Sequence, residues 1–170
     1  MKKFISVLGA LIVMAGAAVA QTAAYVNTET ILSKIPEYSQ AQQRLERMKN
    51  QYETQIENEI KAIENLFNQY QSQKARLNEV ERDMRENEII RKERAVKERQ
   101  KEIFGQDGVL ANESKKLLDP IKDVVQEAIN SVAKGAGIVL VFDLAATQGV
   151  VFSDPRGDLT YMVLKKLNLN

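Results

Sequence analysis

About a hundred consecutive residues of this chain, from 36 to 133, favour helix, and a short strand pattern stands at each end of them. Residues 23–27 (AAYVN) read as one strand, and residues 137–143 (GIVLVFD) as its neighbour in a sheet. No compact core accommodates so long a helix. The run must fold back on itself and project as a hairpin arm, while the two strands bring the chain ends together in a small head. At about 40 residues per leg, the arm reaches roughly 60 Å.

Residues 1–20 stand apart. Lys2 and Lys3 form a basic start, residues 4–13 an apolar run, and Ala18, Val19 and Ala20 a small-residue cleavage site. The run is too short for a convincing membrane span, so the sequence predicts a signal peptide cleaved after Ala20 and export of the remaining chain. The head comprises residues 21–35 and 134–170, the arm residues 36–133. Symmetry puts the arm's tip near residues 77–86.

Without Lys2 and Lys3, 22 of the 24 basic residues remain and nearly balance the 23 acidic ones, which argues against nucleic acid as a partner. The chain has no Cys and no His. That removes disulfides and the commonest metal ligands, thiol nucleophiles and acid–base catalysts. No glycine-rich phosphate cradle precedes a helix. The expectation is a protein that is not an enzyme and uses no cofactor or metal. Asp143, Asp154 and Asp158 are read as strand-end and capping residues. The Arg156, Gly157 and Asp158 tripeptide is read as a turn followed by a cap for the last helix.

In the first leg Tyr38, Ala41, Leu45, Met48 and Tyr52 step by three and four, the spacing of a coiled-coil seam. Ile56, Ile60, Ile63, Phe67, Tyr70 and Leu77 continue it, with steps of four around Tyr52, Ile56 and Ile60 that form a stutter. This stripe is first of all the contact between two helices. Pro36 fits a helix first turn, and the segment before it makes a short bend that tucks in Ile31 and Leu32. Residues 79–102 are highly charged, with Met84, Ile89, Ile90, Ala95 and Val96 as sparse apolar positions. Their basic members are either a solvated face or a surface for anionic or amphipathic clients. Gly105 and Gly108 interrupt the return leg as a kink or loop, and are hinge candidates. Pro120 is expected to bend the next helix or start its final segment.

Residues 150–152 read as a third strand, and Leu159, Val163 and Leu167 share a face of the last helix. So small a head buries too little surface to stand alone, and its strand edges invite another chain. Tyr25, Ile138, Val139, Leu140, Val141 and Phe142 are therefore candidates for a homo-oligomer interface.

Residues 23–45 (AAYVNTETILSKIPEYSQAQQRL) and 137–168 (GIVLVFDLAATQGVVFSDPRGDLTYMVLKKLN) resemble the opening and closing segments of the Skp/OmpH family of periplasmic chaperones. The resemblance extends in layout to the whole exported chain. It implies a mostly α fold with a small β head: a long antiparallel helical-hairpin, coiled-coil arm on a short-stranded, β-barrel-like oligomerisation body. It further implies a homotrimer whose arms surround a cavity holding unfolded outer-membrane proteins, an ATP-independent holdase. Met48, Tyr52, Phe67, Tyr70, Met84, Ile89, Ile90, Arg91, Arg94 and Lys97 are the client-binding candidates. Lipopolysaccharide or anionic lipid is a further candidate partner. The alternative is a structural coiled-coil spacer or tether of the cell envelope.

Overall fold

The computed structural model describes residues 23–169. The leader expected over residues 1–20 lies outside them. Helix dominates, with one small sheet, in the order β1 (Ala23–Val26), α1 (Thr28–Ser33), α2 (Pro36–Gln73), α3 (Glu79–Phe104), α4 (Val109–Gly135), β2 (Leu140–Asp143) and α5 (Thr160–Lys166). The described residues divide into two compact units, Leu32–Gln126 and residues 23–31 with 127–169.

Within the Leu32–Gln126 unit, α2 begins at Pro36, where a missing N–H costs nothing, with Glu37 in its first turn. Its buried residues Ile56, Ile63 and Tyr70 recur every seventh position. They meet Ile89, Val96 and Ile103 of α3, spaced the same way, in one apolar cluster flanked by Tyr52, Leu66, Leu77 and Leu110. Seven residues are close to two helical turns, so each set stays on one face and the two helices pack along it.

The turn between them occupies residues 74–78, at the leading edge of the expected 77–86 span. A 3-10 turn (Lys74–Arg76) and extended Leu77 lead to Asn78, which caps α3. The Glu81 backbone N–H donates to Asn78 Oδ1 at 2.9 Å, and the Asn78 N–H donates to Glu81 Oε2 at 2.9 Å. This reciprocal pair satisfies two otherwise orphaned donors and commits the chain from Glu79 onward to helix.

The interruption lies between α3 and α4, at residues 105–108. Neither glycine is there for a left-handed backbone. A Cβ on Gly105 would come within 2.4 Å of the Lys101 carbonyl oxygen, and one on Gly108 within 2.7 Å of the Glu102 and Ile103 carbonyl oxygens. These are sites of close backbone approach. Alanine here introduces a clash rather than simply stiffening a loop. Pro120, expected to bend or restart the helix, lies inside α4, which runs unbroken. Pro120 is exposed, and having no N–H it leaves the carbonyl four residues earlier without its helical hydrogen bond.

In the other unit β1 and β2 pair in parallel, with Tyr25 opposite Phe142. One face of the sheet is covered: Ala24, Val26, Ile31, Ala128, Ile129, Ala133, Leu159 and Val163 are buried. Tyr25 also bridges to Asp158, and its carbonyl accepts the Leu159 N–H at 2.9 Å. Asp143 fastens the entry of α1, accepting from the Thr28 N–H at 3.1 Å and the Thr28 hydroxyl at 2.6 Å. Past α4, Gly137 adopts φ +69, Ile138 N–H bonds the Ala133 carbonyl and Gly137 N–H that of Lys134. That Schellman arrangement turns the chain into β2.

The third strand expected at residues 150–152 is not formed among the described residues. Val151 and Phe152 are 99% and 80% exposed. Their composition suits a strand, but the sheet is β1 beside β2 alone and offers them no ladder.

Replacing Ile63, 9% exposed, by Ala is expected to cost about 2–5 kcal/mol of stability. The same change at Ile60, 39% exposed, costs clearly less, as urea unfolding of the two variants will measure. Gly108→Ala is expected to lose roughly 1–3 kcal/mol through overpacking, read as a lowered urea midpoint.

Candidate functional site

The candidate contact residues divide by their place on the helical pair. Tyr70 and Ile89 are buried between α2 and α3, so they serve the hairpin's own core and leave the candidate surface. Tyr52 is half-buried against the same cluster, and Met48 is also half-buried. Phe67, Met84 and Ile90 are exposed, as are Arg91, Arg94 and Lys97. Lys97 lines an open cleft of about 370 Å³ with Ile60, Ile63, Glu64, Glu93, Val96 and Gln100. Ile60 was not among the sequence candidates. The steps of four around it were the available signal, because they move a residue off a seven-residue seam.

At the tip end, the Tyr70 hydroxyl donates to Glu86 Oε1, and Lys74 Nζ stands 3.5 Å from the same oxygen. The ammonium also lies 5.3 Å from the centroid of the Tyr70 ring. The hydrogen bond from Tyr70 holds the Glu86 carboxyl below its usual range, and the same bond raises the Tyr70 hydroxyl. The Arg82 guanidinium donates to the Lys74 carbonyl at 3.1 Å, tying α3 to the turn. This network closes the tip and has the character of a brace.

In the sheet-bearing unit, the face opposite the covered one is open and apolar. Leu140 and Phe142 are exposed there and Tyr25 is half-buried; Val139, just before the strand, is 82% exposed. Tyr25, Phe142, Leu144, Val150 and Phe152 line a trough of about 310 Å³ on it, together with Ala23. Of the sequence candidates, Tyr25, Leu140 and Phe142 share this face, whereas Val141, opposite buried Ala24, belongs to the covered one.

The three carboxylates make structural bonds. Asp143 holds Thr28, and Asp158 accepts the Thr160 N–H at 2.8 Å. The residue at the N-cap of α5 is Leu159, one past the expected Asp158, yet the Asp158 carboxylate supplies the capping hydrogen bond. Asp154 binds the Arg156 guanidinium, with Nη2 to Oδ2 at 2.6 Å, which pulls its pKa down to about 2 from a usual 3.8. Among the described residues no group of three or more acidic, His or Cys side chains could hold a metal ion. No helix of the described residues is long and apolar enough to cross a membrane.

With this geometry in view, the comparisons give a consistent result. The profile of the family described as outer membrane protein (OmpH-like) matches residues 22–167. The chain belongs to that family. Among solved structures, that of a candidate outer membrane chaperone (OmpH-like) from Caulobacter crescentus CB15 superposes with a TM-score of 0.66 at 14% identity, over 86% of this chain and 83% of that one. The fold is therefore shared despite low identity. No curated protein matches the chain significantly.

Because the Asp154 pKa is lowered on folding, its ion pair stabilises the fold above the ordinary carboxylate pKa and loses that effect as pH falls from about 3.8 to about 2. A carboxyl-detected NMR titration should give a midpoint near 2, returning towards 3.8 in Arg156→Ala.

Proposed function

We propose that this chain is an ATP-independent periplasmic holdase that binds unfolded outer-membrane β-barrel proteins and prevents their aggregation. The observation that carries the reading is membership of the OmpH-like family over residues 22–167. The structural neighbour's description as an outer membrane chaperone agrees with it. In this reading the open apolar sheet face around Tyr25, Leu140 and Phe142 is covered by further copies of the chain in a homotrimer with a barrel-like body. The paired helices then form arms around a client cavity.

Physical chemistry favours helices for this task. Unfolded barrel proteins carry alternating apolar and polar residues and open strand edges that self-associate in water. A helix has no free ladder to extend such a sheet, so contact with Phe67, Met84 and Ile90 shields a client without templating it. Exposed Arg91, Arg94 and Lys97 add attraction for anionic groups, including lipopolysaccharide or anionic lipid. Release follows from competition, because insertion into the membrane removes the unfolded client from the binding equilibrium.

Light scattering on the exported chain, alone and with a urea-unfolded outer-membrane barrel protein diluted into buffer, tests this. The expected result is a trimer that forms a soluble complex of fixed stoichiometry. A trimer that lets the client precipitate points instead to a structural tether, and a monomer removes the assembly argument.

A further inference from the structure

The apolar seam of the Leu32–Gln126 unit is not evenly closed. In its distal part Ile56, Ile63, Tyr70, Ile89, Val96 and Ile103 are each less than 10% exposed. Near its other end Ile35, Ala41 and Val125 are again buried. Between these lies a stretch where Leu45 and Met48 of α2, and Leu117 and Leu118 of α4, are only half-buried. This waist borders the break at residues 105–108, where the α-helical hydrogen-bond ladder stops and restarts with Asn112 N–H to the Gly108 carbonyl at 3.0 Å.

One direct polar bond joins α2 to α4 in the waist. Arg44 Nη2 donates to Glu113 Oε1 at 2.9 Å, and the Glu113 side chain is only 17% exposed. Lys116 approaches the other Glu113 oxygen at 3.9 Å, so that carboxylate keeps a cation if Arg44 is removed. A second cross-helix pair, Arg99 with Glu59, sits beside the well-closed distal seam, where apolar burial already holds the helices.

From this contrast we propose that Arg44 and Glu113 form an electrostatic latch on the waist, making local parting of α2 from α4 sensitive to ionic strength while the distal seam stays shut. Parting at the waist exposes less new apolar surface per residue than parting at the distal seam, because its side chains are already partly wet. The ion pair therefore carries a larger share of the closure there than elsewhere. Added salt weakens it, since the screening length falls from about 10 Å at 0.1 M to about 3 Å at 1 M. Such a latch belongs to the helical pair alone and stands apart from the proposed holdase role.

The test is amide hydrogen exchange by mass spectrometry on the full exported chain. Arg44→Gln and Glu113→Gln should each speed exchange about two- to fivefold in peptides covering residues 42–50 and 109–118, the range an exposed to partly shielded ion pair supports. Peptides from residues 56–70 and 89–103 should stay unchanged. Raising salt should do the same to the unsubstituted chain and little to either variant. The charge-swapped double variant, Arg44→Glu with Glu113→Arg, should restore slow exchange, and Arg99→Gln should leave the waist as it was. Unchanged exchange in both single variants, an increase spread evenly over the whole helical pair, or failure of the swap to restore protection would overturn the latch.

Discussion

The sheet-bearing unit depends on one pairing between distant parts of the chain. β1 and β2 lie side by side, and Thr28 is bonded to Asp143 across 115 positions of sequence. Closing a loop of that length costs about 4 kcal/mol in chain entropy beyond a constant term. Four residues of ladder in each strand are a small return. The closure holds because Val26, Ile31 and Val163 are sealed beneath it and Asp143 ties the exit of the sheet to the entry of α1. The same economy leaves one face of the sheet bare, since the unit has too few residues to cover both.

Much of this was legible in the sequence. The strand at each end, the helical run between them and the short bend before Pro36 follow from composition and from proline and glycine placement. The seven-residue recurrence of Ile56, Ile63 and Tyr70 was visible as a stripe. Which members face inward was not. Periodicity fixes relative angles, so Tyr70 and Ile89 looked as suitable for outside contact as Phe67 and Ile90, until the partner helix set the absolute angle.

Other features depend on groups that meet only through space. The sequence shows two glycines at 105 and 108 as breaks in a helical run, but that carbonyl oxygens of α3 occupy the room of a Cβ there is visible only in the folded chain. Residues 150–152 have the composition of a strand, but a strand exists only when paired with another, and among the described residues they pair with none. Pro120 reads as a breaker by rule, yet it occupies an exposed position inside a continuous helix.

The parallel pairing also dictates an order of events as the chain is delivered N-terminus first. α2 and α3 can find each other once the turn at residues 74–78 has emerged, since their contacts are close in sequence. β1 appears earliest of all and has nothing to pair with until Leu140–Asp143 arrives, and Tyr25 and Asn27 wait longer still, for Leu159 and Thr160. The first strand made is thus among the last to settle. Until nearly the whole chain is through, its unsatisfied edge must be kept from foreign partners, the hazard that incompletely delivered β segments share.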